Sequence, residues 1–112
     1  MATAFKNKIT PDLAVTPTEI IAMGSTARAT VIGMSLANKT ADPVVVSVTV
    51  TDNSGATPVV GYYMKDIIIQ ANQTLRAVNG GERLLVAPSN QVHVSASVAG
   101  AVDSIVSYVE IT

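Results

Sequence analysis

The sequence predicts an all-β fold, a single antiparallel β-sandwich of immunoglobulin-like or jelly-roll type with about seven or eight strands and an extended N-terminal arm. Apolar and polar residues alternate with a period of two, as they do in half-buried strands, and no sustained stretch has the spacing of an amphipathic helix. Turn-forming residues separate these stretches about every ten positions. The 112 residues suffice for one domain with a core, and without Cys no disulfide contributes to it.

The alternation is clearest in two segments. In 44–51 the even-numbered residues are all Val, whereas the odd-numbered ones are Val, Ser, Thr and Thr. In 91–98 the even-numbered residues are apolar, and His93 stands among serines on the opposite face. The strands are predicted at 7–15, 18–22, 27–37, 43–52, 58–69, 74–78, 82–87, 91–98 and 103–111, with one of the short ones false and a bend near Asp66.

The same alternation predicts which side chains point inward. They are Ile32, Met34, Leu36, Val46, Val48, Tyr62, Ile67, Ile69, Leu84, Val86, Val92, Val94, Ile105 and Val109. Turns are predicted at 38–43, 52–55, 79–81 and 87–90, where Gly, Pro, Asn and Asp collect.

Residues 1–16 are predicted to form an N-terminal arm or edge strand, and residues 17–112 the sandwich domain. Pro11 and Pro17 favour an extended backbone in this first segment. Two interpretations remain open. The segment is either a strand of its own sheet or an arm that adds to the sheet of a neighbouring subunit.

The charge balance argues against some partners and favours others. The net charge is −1 and only 13% of the residues are charged, about half the usual ~25% of soluble domains. A weakly charged chain is unsuited to nucleic acid or to an anionic membrane surface. Surfaces with little net charge associate readily, so the composition favours protein partners.

The sequence predicts no enzyme, no cofactor and no metal site. His93 is the only His, and no Gly-x-Ser-x-Gly segment accompanies it, which argues against a serine hydrolase. One His without Cys cannot supply a zinc shell. The segment 52–55 resembles a calcium loop only at its start and is interpreted as a turn. Tyr62 and Tyr63, near Lys65, are the only aromatic pair that could stack on a sugar or a base.

The chain resembles a family of small virion proteins of tailed bacteriophages. The resemblance rests on the segment 78–88 with its Gly-Gly, on the two alternating strands 92–98 and 101–112, and on the segment 29–38 that leads into a Val/Thr strand. It covers about residues 16–112. It implies a β-sandwich present in many copies in a symmetric particle.

The function expected from this resemblance is that of a structural protein that decorates and stabilises the capsid through contacts with neighbouring capsid subunits. The alternatives are a neck, tail or fibre-anchoring component, or a carbohydrate- or receptor-binding module. The expected location is the virion, after synthesis in the host cytoplasm, and the expected partners are virion proteins, including copies of this chain. The predicted contact residues are Phe5, Ile9, Leu13, Val15, Ile20, Ile21, Tyr62 and Tyr63.

Overall fold

β-branched residues in alternation form strands along most of the chain. The computed structural model describes residues 2–78 and 83–112, and these contain nine strands and no helix. They are β1 (Thr3–Thr10), β2 (Thr18–Ala22), β3 (Arg28–Asn38), β4 (Val44–Asp52), β5 (Val59–Ile69), β6 (Thr74–Val78), β7 (Leu84–Val86), β8 (Gln91–Ala96) and β9 (Val102–Ile111). The all-β prediction is confirmed. Every predicted strand has an observed counterpart, so the expectation that one of the short strands is false was wrong.

The strands form two antiparallel sheets, and their order identifies the sandwich as a jelly roll. The first sheet, called the β1 sheet, has the order β1-β9-β3-β6, with β7 also paired to β3. The second, called the β2 sheet, has the order β2-β8-β4-β5. The pairing is nested: first strand with last, β2 with β8, β3 with β6 and β7, and β4 with β5. If β6 and β7, which follow one another along β3, count as one interrupted strand, this is the eight-strand jelly roll rather than the immunoglobulin-like alternative.

Residues 79–82 separate β6 from β7. The turn predicted at 79–81 lies outside the residues that the structure describes.

The core lies between the two sheets. Its fully buried members with the largest side chains are Leu13, Ile20, Ile21, Met34, Leu36, Val31, Val44, Val46, Val48, Val78, Val86 and Val92. Most of the predicted inward residues belong to this core or, as Ile67 and Leu84 do, pack against it.

A bulge in β3 makes one predicted core residue wrong. Opposite β9, the register shifts between Val31 and Gly33. Val31 and Met34 are both buried, and Ile32 between them is 40% exposed. Because a bulge adds one residue to a strand, it reverses the alternation beyond it.

The alternation in β9 is the reverse of the predicted one. Val102, Ser104 and Val106 are fully buried, whereas Ile105 is 46% exposed and Val109 follows the same outward phase. Ile105 and Val109 were therefore wrong as core residues. Ile105, one of the two isoleucines of this strand, lies on its outer side, which the alternation alone does not reveal.

Strand β5 bends at Asp66, as predicted. Asp66 has a φ of 52°, its N–H donates to Ser47 Oγ at 2.9 Å, and the β4–β5 register is irregular on both sides of Val48. This irregularity leaves Tyr62 61% exposed, so Tyr62 was wrong as a core residue.

Asn38 joins two turns at one end of the sandwich. Its buried side-chain amide donates to the carbonyl oxygens of Asp42 (2.8 Å) and Ile69 (3.0 Å), and its Oδ1 accepts from the N–H of Thr40 (3.0 Å). The predicted turn at 38–43 is thus held by one side chain whose polar atoms are satisfied inside the protein.

Candidate assembly surface

The outer face of the β1 sheet carries the largest exposed apolar side chains of the β1–β9 pair. In an antiparallel sheet, residues paired in register project to the same side. Phe5 pairs with Val109 and Ile9 with Ile105. Phe5 is 80% exposed, Ile9 65% and Ile105 46%.

One row of this face continues across the whole sheet. Val109 also pairs with Thr30 of β3, and Thr30 pairs with Leu85 of β7, which is 71% exposed. We call the residues Phe5, Ile9, Leu85, Ile105 and Val109 the outer apolar face. Exposed apolar patches of this kind usually mark surfaces that another protein covers.

An apolar pocket opens at one end of the same face. Its volume is about 320 Å³. It is lined by Arg28, Ala29, Thr30, Leu85, Val86, Ala87, Pro88 and Ile111. We call it the β7 pocket.

Strand β1 is an open edge of its sheet. Ala2 and Thr112 exchange both backbone hydrogen bonds, at 3.0 and 2.9 Å. Because hydrogen-bonded and non-bonded pairs alternate along an antiparallel ladder, the N–H and C=O groups of Phe5 and Ile9 point away from β9. Such an edge can accept another strand.

Polar side chains add to the attachment of β1 to β9. Lys6 Nζ donates to Glu110 Oε2 at 2.9 Å, and Asn7 Nδ2 donates to Ser107 Oγ at 2.8 Å. The hydrogen bond to Glu110 raises the pKa of Lys6 above its ordinary value. Both contacts are exposed, and exposed ion pairs stabilise a fold only slightly.

A charged cluster fixes the segment that follows β1. The backbone N–H of Asp12 donates to Asp103 Oδ1 at 2.9 Å, and Lys39 Nζ donates to the same oxygen at 2.9 Å and to Asp12 Oδ1. The bond from the Asp12 N–H, followed by that from Lys39, lowers the pKa of Asp103. The hydrogen bonds to Asp12 and then to Asp103 raise the pKa of Lys39. Leu13, next in the chain, is 0% exposed and its N–H donates to Val102 O at 2.9 Å.

This anchoring divides the residues predicted as partner contacts. Leu13, Ile20 and Ile21 are at most 1% exposed and belong to the core, because β2 packs its inner side chains between the sheets. In this structure a partner cannot reach them. Phe5 and Val15 (57% exposed) are at the surface, as is Ile9.

The two predicted tyrosine contacts lie on β5, the edge strand of the other sheet. Tyr62 is exposed, and Lys65 Nζ lies 5.2 Å from the centroid of its ring. Tyr63 is half-buried and packs against the core. The neighbouring Val59 and Val60 are 65% and 61% exposed, so the start of β5 is a second apolar edge.

The outer face of the β2 sheet is more polar. A shallow groove of about 490 Å³ there is lined by Pro17, Thr49, Thr51, Val60, Tyr62 and His93. His93 pairs in register with Thr49 on one side and Glu19 on the other, and it is half-buried, consistent with its predicted outward position. In the part of the chain that the structure describes, no three His, Cys, Asp or Glu side chains are grouped as metal ligands.

Sequence reasoning did not select Leu85, Ile105 or Val109 as surface residues. Leu85 carried a usable signal, since it lies between two residues predicted to point inward. For Ile105 and Val109 the signal was absent, because both phases of β9 contain Val or Ile.

The comparisons with known proteins support the fold alone. No family model and no curated protein sequence matches the chain. A chain in the crystal structure of the T13 IBDV viral particle is similar in structure, with a TM-score of 0.56 at 9% sequence identity. The match covers 96% of this chain and 30% of that one, so this chain spans under a third of its structural neighbour. Over the described residues, no helix is long and apolar enough to cross a membrane.

Proposed function

We propose that this protein is a non-enzymatic structural component of a virion, which acts by packing against other protein subunits. The observation that carries the proposal is the outer apolar face, where Phe5, Ile9, Leu85 and Ile105 are 46–80% exposed on a sheet with an open edge. Large apolar side chains left in water are a cost that a covering partner removes, at roughly 25 cal/mol for each Å² buried.

Two further observations support a virion rather than another assembly. The strand order is that of the jelly roll, a fold common in viral capsid proteins, and the similar solved structure belongs to a viral particle. Fold by itself does not assign function, so the exposed face carries more of the argument than the topology.

In its finer form, the proposal is a decoration protein of a tailed bacteriophage, made in the host cytoplasm, that contacts neighbouring capsid subunits. Its work requires no cofactor, nucleic acid or membrane. The net charge of −1 and the low charge content support protein surfaces as the partners.

The test is to locate the chain in particles. Virions purified from cells that produce the chain are labelled with an antibody against it and observed by immunogold electron microscopy. Quantitative mass spectrometry then gives its copy number relative to the major capsid protein. We expect the chain to co-purify at hundreds of copies on the shell. A count of about six or twelve would relocate it to the neck or tail, and its absence from particles would refute a virion role.

A further inference from the structure

We propose that the partner on the outer apolar face is a second copy of this chain, bound face to face about a two-fold axis that runs along β9. In this dimer the Phe5 side chain of each copy enters the β7 pocket of the other. The inference rests on the proposed assembly role, because it names the partner of the same surface.

Phe5 fits the β7 pocket in size and in chemistry. Phe5 is the only Phe of the chain, and at 80% exposed it is nearly free of intramolecular contact. The β7 pocket has a volume of about 320 Å³. An apolar cavity of about 150 Å³ already binds benzene, so the pocket has room for a phenyl ring.

Phe5 and the β7 pocket lie on the same face of the β1 sheet, on opposite sides of β9. Phe5, Val109, Thr30 and Leu85 form one row across the sheet, in that order. With about 4.8 Å between neighbouring strands, Phe5 lies roughly 10 Å from Thr30 in the pocket wall, and β9 lies midway. A two-fold axis along β9 therefore exchanges the side that carries Phe5 with the side that carries the pocket. Such an interface is isologous, since each copy supplies both the inserted ring and the pocket.

The centre of the interface is apolar. On the axis, Val109 meets Val109 and Ile105 meets Ile105 of the partner copy, without a charged side chain in either row on β1 or β9. The charged Arg28, at the pocket edge, faces the strand end of the partner copy that begins with Thr3, because Thr3, Ile111 and Arg28 share a row. The outward residue at the other end of β9, Asp103, would meet its own copy on the axis, and its charge is offset by Lys39, whose Nζ lies 2.9 Å from its Oδ1. Like charges are therefore kept out of the interface core.

The contact area is that of a weak complex. With the axis along β9, strand β1 of each copy lies over β3 of the other, so three strand positions overlap. With β9 spanning ten residues, they offer about 14 by 33 Å, which is on the order of 480 Å² for each copy. Two copies would bury about 950 Å² in total, which is below the ~1,200 Å² of specific and stable interfaces and in the range of transient ones. The predicted complex is therefore a weak, reversible dimer.

The experiment is sedimentation equilibrium of the purified full chain, with three single variants. We expect the wild-type chain to dimerise at micromolar concentration. Phe5→Ser and Leu85→Ser each remove one half of the Phe5–pocket contact, and we expect each to weaken dimerisation about 30-fold, as for truncation of an interface hot spot. Val60→Ser, which removes a similarly exposed apolar side chain from the other sheet, is the matched control and should dimerise like the wild type.

A crosslinking experiment locates the axis independently. Because the chain contains no Cys, a single substitution supplies the only thiol. With a short bismaleimide at dilute protein concentration, Val109→Cys should give covalent dimers, and Thr49→Cys, on the outer face of the β2 sheet, should remain monomeric. Circular dichroism and thermal unfolding verify that each variant is folded.

Three results would overturn the inference. The first is a wild-type chain that stays monomeric to about 100-fold above micromolar concentration, where a dimer would have no useful affinity. The others are a Phe5→Ser variant that dimerises normally and crosslinking from residue 49 instead of 109. The virion role is judged separately from particle composition. A monomeric chain found in virions refutes only the dimer, and a dimeric chain missing from virions refutes only the virion role.

Discussion

Strands β1 and β2 are neighbours in the chain and have opposite roles in the molecule. No side chain of β1 is buried, and its apolar residues point to solvent. In β2, Ile20 and Ile21 are both inside the core, and Leu13 just before the strand is fully buried. The contacts predicted from the sequence between Phe5 and Ile21 lie on both sides of Asp12, where the structure divides exposed from buried residues. Similar apolar content is therefore exposed to solvent on one side of this point and buried in the core on the other.

The largest effect that this contrast predicts is on stability. Replacing Ile20 by Ala removes buried methyl groups and leaves a cavity, and we expect the free energy of unfolding to fall by about 2–5 kcal/mol. Ile9→Ala, the matched exposed substitution, should change it by less than about 0.5 kcal/mol. Urea denaturation of both variants measures the difference. Equal losses would contradict the division.

The next prediction concerns truncation. Deleting residues 2–10 removes ladder hydrogen bonds worth about 1 kcal/mol each, but it also removes the entropy cost of ordering the strand, about 1–2 kcal/mol per residue. These contributions nearly cancel, so the truncated chain should remain folded with a loss smaller than that of Ile20→Ala.

Extending the deletion to residue 13 is the control for this truncation. It also removes Leu13 and the Asp12 N–H that Asp103 accepts, so its loss should be in the range of a core substitution, about 2–5 kcal/mol. If both deletions unfold the chain, β1 is part of the folding core and the comparison fails.

A smaller effect is expected where the two regions meet. Ser104 pairs with Thr10, the last residue of β1. It is 0% exposed, and its hydroxyl has no hydrogen-bond partner among the residues that the structure describes. An unsatisfied buried polar group costs about 1–3 kcal/mol. Ser104→Ala should therefore stabilise the fold by about 1 kcal/mol in urea denaturation, at the lower end of that range. A clear loss of stability would mean that the hydroxyl has a partner.

The smallest predicted effect is the pH dependence that comes from the cluster holding Asp12. The pKa of Asp103 is lowered from 3.8 in the folded protein. The unfolded chain therefore binds this proton more readily, and the stabilisation is present above pH 3.8 and is lost as the pH falls through the lower folded value. Asp103→Asn should lose less stability than the wild type between pH 6 and pH 3. If the free energy of unfolding of the variant and of the wild type changed equally with pH, a contribution from Asp103 would be excluded.

The sequence predicted the fold better than it predicted the surface. Strand positions follow from composition and alternation, and these signals survive local irregularities. The side of the sheet to which each residue points cannot be predicted as well. The bulge at Ile32 and the phase of β9 each exchange buried for exposed positions without changing the strand assignment. Leu13, Ile20 and Ile21 were predicted as contacts because apolar residues close to prolines are compatible with an arm as well as with a core. Only the tertiary packing distinguishes the two.

The nested strand pairing has a consequence for how this chain reaches its native state. Among the described strands, β4 and β5 alone are both paired and consecutive in sequence. By contrast, Lys6 and Glu110, joined across β1 and β9, are 104 positions apart. Closing long loops slows folding, so we expect slow kinetics with the β4–β5 hairpin formed early. Pairing then proceeds outward to the two ends. During synthesis β1 emerges well before β9, the strand with which it pairs, so it remains unpaired until β9 is made. We expect β1 to be the first strand lost when the protein unfolds.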